Sequence, residues 1–496
     1  MIQENIEIHD KHQFEIKMGY KALDQEDALY DIEMYFFIPS SLNVNKHTYL
    51  KRDFFNDLQT YIRFKSPVFL LRSVAAGDDS PILKLKRSFQ QLADRQDEKT
   101  VAHYIRQIKM FACIVKSALR DHVQFTAKQK IADDQAALID EYIRTAPDLA
   151  ARYRQLKAIV NVPSLAGKLY SHYLFGDEYL SFLIEESTYG LIQVVEKADQ
   201  TTQQGRLAQL YGIIRDELRR REASGYPSLP RADGDNEELI FRRSVLKKFT
   251  GGVLHLMTTT EREGLLLEQL LFGLAAGFAM MFATAVAFYS QARFGSISLT
   301  LFFVLTVSYI LKDRIKEWLR LYFSKKIQYL FFDHRINLLT AEKDRIGWAK
   351  ELFFFAREGN IPKEIMRIRD RDHITEIENG WMGEEVAVYM EKVKIFSKRL
   401  LALYGDYRME GINSIMRFDI SKFLNKMDDP QKALCLLDGQ GHREIVGKRV
   451  YHLNLIVKYT SKLETTYKRF RIVMNREGIK RIEEVFSEQS PGTILP

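Results

Sequence analysis

A run of 22 residues without a charged side chain, from Gln269 to Ser290, constrains this chain more than any other feature. A helix of that length spans roughly 33 Å, which matches the hydrocarbon core of a bilayer at about 30 Å. A short turn follows, and a second charge-free run from Ser296 to Leu311 returns, spanning roughly 27 Å with Phe294 included. A soluble protein can bury such a hairpin in its core, but basic residues outside both runs favour a membrane. We therefore predict a two-helix transmembrane hairpin, with helices at about 265–290 and 294–311.

The chain carries a formal net charge of +8, and most of this excess flanks the two apolar runs. Eleven Lys and Arg residues lie within 240–264 and 312–326, whereas Arg293 alone lies in the turn. The positive-inside rule then places both flanks, and with them the N- and C-termini, in the cytoplasm. We expect an integral protein of the plasma (inner) membrane, in contact with the lipid bilayer and its anionic headgroups. Because the rest of the chain is nearly neutral, a nucleic-acid partner is not indicated.

Small residues recur along the first predicted membrane helix. They form an alanine ladder with a spacing of four residues and a neighbouring GxxxG pair: Ala275, Ala279, Ala283 and Ala287, with Gly273 and Gly277. Such spacing lets helix backbones approach closely in lipid. Two interpretations stay open, namely packing against the second helix of the same hairpin and self-association into a homo-oligomer.

The remainder of the 496 residues predicts a multi-domain α+β protein. Apolar and polar residues alternate in 14–20 and again in 30–38, which predicts an N-terminal β-hairpin. Helical periodicity dominates 83–221, and alternation returns in 451–459 and 470–474, with a short helix expected at 478–486. The expected regions are an N-terminal hairpin and helix (1–75), a helical region (76–222), a linker (223–240), a membrane region with interfacial helices (241–332) and a β-rich cytoplasmic domain (333–496).

Side chains that carry chemistry are sparse. Cys113 and Cys435 sit among apolar neighbours, and both are expected to be buried and reduced. No HExxH, nucleophile elbow or paired CxxC occurs, and the loop 441–448 has one residue too many between its glycines for a phosphate loop. Asp370 and Asp372 lie among arginines, which indicates a salt-bridged surface rather than a metal site. We expect no metal and no cofactor, and the pattern favours a non-enzymatic role.

Basic residues cluster in the C-terminal region. Alternation predicts that they point outward from three strands: Arg367, Arg369 and Arg371 from one, Arg469 and Arg471 from another, and Lys458 from a third. If these strands share one sheet, they form a basic face. That face is either ordinary solvated surface or a contact for anionic headgroups, an acidic protein partner or a nucleotide.

Together these features favour a membrane-anchored, cytoplasm-facing scaffold or signalling and assembly protein. A membrane-tethered enzyme acting on a phosphate-containing substrate is the first alternative, and it depends on the basic face. An oligomeric membrane-disrupting effector is the second, and it depends on the small residues of the first helix.

Overall fold

The computed structural model describes residues 3–23, 26–162, 167–197, 204–294, 299–327, 331–370, 383–403, 406–439, 441–462 and 464–491. It confirms an α+β protein and divides into two compact units. We call them the sheet unit (Met1–Ile62, Leu256–Leu400 and Gly411–Pro496) and the helical unit (Arg63–His255 and Leu401–Glu410).

The strands are numbered in chain order: β1 Gln3–Ile8, β2 Gln13–Lys21, β3 Ala28–Pro39, β4 Leu58–Phe64, β5 Met257–Arg262, β6 His334–Leu339, β7 Arg345–Ala356, β8 Glu384–Ile395, β9 Gly411–Asp419, β10 Gln431–Asp438, β11 Gly441–Lys448, β12 Tyr451–Ser461, β13 Glu464–Asn475 and β14 Gly478–Pro491. The large sheet has the order β14-β13-β12-β3-β8-β7-β6-β5. A four-stranded sheet has the order β1-β2-β9-β4, and β10 and β11 form a separate pair.

The four-stranded sheet packs face to face on the large sheet. The rings of Phe36 on β3 and Phe418 on β9 stack with their centroids 5.5 Å apart, and those of Tyr20 and Tyr30 lie 5.1 Å apart. Successive side chains of a strand point to opposite faces of the sheet, so every second residue of these strands lies in the core between the two sheets. The other face of the large sheet is covered by the short helix Lys363–Arg369, whose Ile365 is fully buried.

Both strands predicted near the N-terminus are confirmed, but their pairing as a hairpin is wrong. β2 pairs with β1 and β9, whereas β3 lies between β8 and β12 in the large sheet. Strands from the first 62 residues therefore lie in the same sheets as strands from beyond residue 333, and Met1–Ile62 belongs to the sheet unit together with most of 333–496. The predicted strands around 451–459 and 470–474 are confirmed as β12 and β13. The expected helix at 478–486 is wrong, because these residues pair with β13 as β14.

The helical unit confirms the helical region predicted for 83–221. Its helices are α2 Leu71–Ala75, α3 Pro81–Asp94, α4 Glu98–Lys128, α5 Ala132–Gln155, α6 Lys157–Val160, α7 Gly167–Lys197, α8 Gln204–Ala223 and α9 Glu237–Gly251. The sheet unit contains α1 Lys51–Asp57, the pair α10 Leu265–Phe294 and α11 Leu299–Ile327, the helix Lys363–Arg369 (α12), and short helices at Ser397–Ala402 and Ser421–Leu424. The Asp97 side chain accepts a hydrogen bond from the Thr100 N–H and so caps the start of α4.

Charged side chains of α7 are paired with arginines from other helices of the helical unit. Glu178 is fully buried and lies 2.7 Å from the Arg242 guanidinium of α9, and Arg154 of α5 contacts Asp177 at 2.9 Å. Helix α9 is thus part of the helical unit, although residues from 241 onward were expected in the membrane region. Removing one member of such a buried pair costs about 3–5 kcal/mol, because its partner is left as an uncompensated charge.

Candidate functional site

Helices α10 and α11 form a hairpin that leaves the large sheet between two paired strands. β5 precedes α10 and β6 follows α11, and these strands pair antiparallel from Met257 opposite Leu339 to Arg262 opposite His334. Neighbouring strands lie about 4.8 Å apart, so the two ends of the hairpin start side by side. The second predicted helix continues past 311 to Ile327 without a break. The predicted turn begins at Gln291, but Gln291 to Phe294 belong to α10, and residues 295–298 lie outside the described residues.

The surface of this hairpin is apolar and open. Within the described residues, one helical segment, Leu267–Arg293, is long and apolar enough to cross a membrane, and only 11% of its most apolar stretch is buried. Phe278, Met281 and Phe288 of α10 are more than half exposed, as are Phe302 and several other large residues of α11. Monomeric soluble proteins rarely expose contiguous apolar surface on this scale, which marks a site of contact with lipid or another chain.

The small residues of α10 divide between two faces. Ala275 and Ala279 are 0% and 1% exposed, and Ala283 and Ala287 are half-buried, which is the burial expected of positions packed against α11. Gly273 and Gly277 are exposed, and a Cβ at either would meet no atom within 4 Å. These observations favour packing within the hairpin for the alanines and leave the two glycines on its outer surface.

A groove of about 360 Å³ lies between the two helices. Phe282 and Val286 of α10 and Phe303 and Val307 of α11 line it, and Ser308 is its single polar lining residue. This lining offers van der Waals contact and little polar recognition, as a surface filled by lipid tails requires.

Basic residues gather along the part of α11 that approaches the sheet. The Arg320 guanidinium lies 4.7 Å from the Phe272 ring of α10, and the Lys312 ammonium lies 3.7 Å from the Tyr309 ring. Arg262, at the end of β5, is 3.4 Å from Glu268 at the start of α10. The charges of the hairpin therefore lie on the half of α11 that follows Leu311 and beside the end of β5, whereas its tip carries Arg293 alone among the described residues.

The predicted basic face is wrong for its central members. Arg367 and Arg369 lie on helix α12 and not on a strand, and Arg369 is fully buried, donating two hydrogen bonds to the Glu384 carboxylate at 2.9 and 2.5 Å. Arg469 is fully buried as well, and it donates to the Ile368 carbonyl at 3.1 Å. Both guanidiniums thus hold α12 on the sheet, where neither reaches a ligand from solvent.

The other members of that predicted face are dispersed. Lys458 is paired with Glu33 at 2.9 Å, Arg471 lies 3.5 Å from Glu483, and Arg371 lies outside the described residues. Arg367 is exposed on α12. The structure therefore does not bring the described basic residues together as one outward-facing surface.

Two buried carboxyl groups form a cluster that was missed at the level of sequence. Glu351 on β7 and Glu391 on β8 are directly opposite each other and are 5% and 1% exposed, on the sheet face that meets the four-stranded sheet. The Tyr20 hydroxyl donates to Glu391 Oε2 at 3.1 Å, and the Tyr389 hydroxyl donates to Glu351 Oε1 at 2.8 Å. Glu391 Oε1 has no hydrogen-bond partner among the described residues. The signal in the sequence that could have indicated this cluster is Glu391 itself, because it occupies a position of β8 that alternation assigns to the core, between Tyr389 and Val393.

Burial, followed by the neighbouring Glu351 charge, raises the pKa of Glu391 to about 8. Burial also raises the pKa of Tyr20 and Tyr389, so both hydroxyls keep their protons and act as donors. The pair can hold a proton near neutral pH, but neither carboxyl group is open to a substrate. Within the described part of the chain, no three or more His, Cys, Asp or Glu side chains converge as a metal site.

No family model matches the chain, and no curated protein matches it. Among solved structures, a de novo designed 16-helix transmembrane nanopore is similar over 50% of this chain and 91% of its own, with 12% sequence identity and a TM-score of 0.17. A score this low supports no inference about fold or function.

Proposed function

We propose that this chain is a membrane-anchored scaffold or signalling and assembly protein, whose α10–α11 hairpin crosses the bilayer and whose two units lie on the cytoplasmic side. The observation that carries the proposal is the insertion of the hairpin between β5 and β6. Because these strands pair along their whole length, the two helices must enter a membrane from the same side. The large sheet then stays on that side, as a unit anchored by two adjacent helices.

The apolar surface of the hairpin supports insertion. Burying one large aliphatic or aromatic side chain is worth about 1.5–3 kcal/mol, and many such side chains are exposed along α10 and α11. Lipid removes this surface from water, while helical backbone bonds satisfy the N–H and C=O groups in hydrocarbon. The charge-free run on α11 ends at Leu311, so the Lys312 side chain extends toward the headgroups.

The orientation rests on the positive residues at the base of the hairpin. Arg262 lies at the base itself, and Lys312, Arg314, Lys316 and Arg320 lie on the half of α11 that leads to the base, against Arg293 near the tip. The positive-inside rule assigns the base to the cytoplasm, where anionic headgroups add about 1 kcal/mol for each nearby Lys or Arg. Arg242 and Arg243 contribute less to this signal, because they pair with Glu178 and Glu186 of α7.

A scaffold role is favoured over an enzyme because the described polar clusters are enclosed. Arg369 and Arg469, on which a phosphate-binding site would depend, are fully buried under α12. Glu351 and Glu391 are enclosed between two sheets. What the chain offers to other molecules is therefore its surface, held beside a membrane.

Cysteine accessibility tests the anchoring. In a Cys113→Ser, Cys435→Ser background, a Gln291→Cys variant should react with a membrane-impermeant maleimide on intact cells. A Ser224→Cys variant should react only after permeabilisation, because Ser224 precedes the hairpin. Labelling of Ser224→Cys from outside intact cells, or no labelling of Gln291→Cys before permeabilisation, would contradict the topology.

Excision of the hairpin tests the scaffold role. Since Arg262 and His334 are opposite each other, an Asn-Gly turn can replace residues 263–333 and close β5 and β6 as a two-residue hairpin. This variant should be soluble without detergent. Crosslinking in cells should link the full-length chain to cytoplasmic proteins in the membrane fraction, and it should link the variant to the same proteins in the soluble fraction. If the full-length chain retains none, the scaffold role is excluded while the anchoring stands.

A further inference from the structure

The β10–β11 ribbon is a two-stranded sheet whose β10 strand is exposed at every residue. Leu434, Leu436 and Leu437 are 45%, 46% and 82% exposed, and Cys435 was expected to be buried but is also exposed. An isolated two-stranded ribbon is marginally stable in water, and a third strand or a packed apolar face stabilises it. The ribbon therefore presents both apolar side chains and a free edge.

The register shows which backbone groups face that edge. The Pro430 carbonyl accepts a hydrogen bond from the Arg449 N–H at 2.8 Å, and the turn closes on the pair Asp438–Gly441. Even-numbered residues of β10 therefore direct their backbone toward β11. Strand alternation turns the N–H and C=O groups of Ala433, Cys435 and Leu437 to the opposite edge, where no strand of the described residues pairs.

We propose that the β10 edge is a homodimer interface, in which β10 pairs antiparallel with β10 of a second copy about a two-fold axis at Cys435. In this register, Cys435 lies opposite its own counterpart, and Ala433 lies opposite Leu437 of the second copy. Every free N–H and C=O group of these three residues then gains a partner. The two ribbons become one four-stranded sheet, β11–β10–β10–β11, and a two-fold contact of this kind closes at a dimer.

Charge complementarity favours a second copy as the occupant. The same register places Lys432 opposite Asp438 of the second copy, twice by symmetry, and Leu434 opposite Leu436. These are the non-hydrogen-bonded pairs, in which side chains approach most closely. Self-pairing of the β11 edge centred on Arg443 or Glu444 would instead place like charges against each other.

The two cysteines make a direct test practical in the full chain. Cys113 is buried, and burial raises the pKa of its thiol to about 12, so at neutral pH a maleimide reacts at Cys435. A short bis-maleimide added to detergent-solubilised protein should yield a covalent dimer on a denaturing gel. The Cys435→Ser variant should yield none, because Cys435 is the reporter.

Charge reversal tests the register. Lys432→Asp and Asp438→Lys should each lower the yield of crosslinked dimer about tenfold, since two like-charge pairs replace two opposite-charge pairs. The double variant Lys432→Asp, Asp438→Lys should restore it, which also shows that the ribbon still folds. Lys448→Asp is the matched control, because it makes the same charge change on exposed β11 away from the β10 edge, and it should leave the yield unchanged.

Three outcomes would overturn the proposal. Absence of a crosslinked dimer in the wild-type chain would exclude the homodimer, and the β10 edge would then contact a strand of another protein or lipid. A dimer that tolerates Lys432→Asp would reflect association through another surface, such as the outer face of α10. Failure of the double variant to restore the dimer would exclude the antiparallel register centred on Cys435.

Discussion

The buried glutamate pair predicts that Glu391→Gln stabilises the sheet unit at alkaline pH and does so progressively less as pH falls. Glutamine has the shape of a protonated glutamate and remains neutral at every pH, so it keeps the acceptor for the Tyr20 hydroxyl. The groups that face this site are Tyr20 from β2, Glu351 from β7, Tyr389 from β8 itself and His334 from β6, whose Nδ1 lies 3.8 Å from Glu351 Oε2. Of these, Glu351 carries the charge that opposes ionisation of Glu391.

The magnitude follows from the two pKa values. The folded pKa of Glu391 is about 8, against an ordinary value of 4.5. Between these values the folded state keeps a proton that the unfolded state has released, so the free energy of unfolding falls as pH rises. Each pKa unit is worth about 1.36 kcal/mol, which gives at most about 5 kcal/mol across the window. Above pH 8 both the folded and the unfolded state have lost the proton, so the difference in free energy of unfolding between wild type and Glu391→Gln no longer changes with pH.

Thermal unfolding of full-length protein in detergent, at several pH values from 5 to 9, measures this effect. The Tm of Glu391→Gln minus that of wild type should be near zero at pH 5 and should rise to at most about 10–20 °C above pH 8, since about 5 kcal/mol at about 2–4 °C per kcal/mol gives that range. Glu364→Gln is the matched control, because it neutralises an exposed glutamate of the same unit, and its difference should stay flat. Glu351→Gln should shift the pH window downward, since it removes the neighbouring charge.

A Tm difference that does not change with pH, or that decreases as pH rises, would refute the reasoning. Infrared spectroscopy gives an independent reading, because a protonated carboxyl group has a carbonyl stretch that a carboxylate lacks. At pH 7 that band should be present in wild type and absent in Glu391→Gln. Its presence in both would assign the proton to another group.

Two further predictions concern the hairpin and α12. Ala275→Leu should destabilise the hairpin by about 1–3 kcal/mol, because the position is fully buried and cannot take the added volume. Gly277→Ala adds a Cβ that meets no neighbouring atom, so it should be neutral or slightly stabilising. Thermal unfolding in detergent measures both effects. Arg369→Leu should lower the free energy of unfolding by about 3–5 kcal/mol, because it leaves Glu384 buried beside an apolar side chain. Arg367→Leu, on the exposed side of the same helix, should change the Tm little. Equal effects of the two members of either pair would contradict the assigned faces.

Sequence alone determined the features that depend on neighbouring residues. The charge-free runs predicted α10 and α11 because helix length and apolarity are local properties, and alternation predicted β2, β3, β12 and β13 for the same reason. The burial of Cys113 was also expected, whereas packing of the alanine ladder within the hairpin was one of two interpretations that the sequence left open.

Tertiary structure alone decided how these elements combine. Alternation marks a strand but not its neighbour, so β3 could not be assigned to a place between β12 and β8, far away in the chain. Residues 363–369 alternate like a strand, yet they become a helix because Ile365 and Ile368 fill the space above the sheet. Cys435 lies among leucines but is exposed, since no described strand or helix covers β10. Glu391 acquires its raised pKa only where β7 places Glu351 beside it and the two sheets exclude water, which no local pattern specifies.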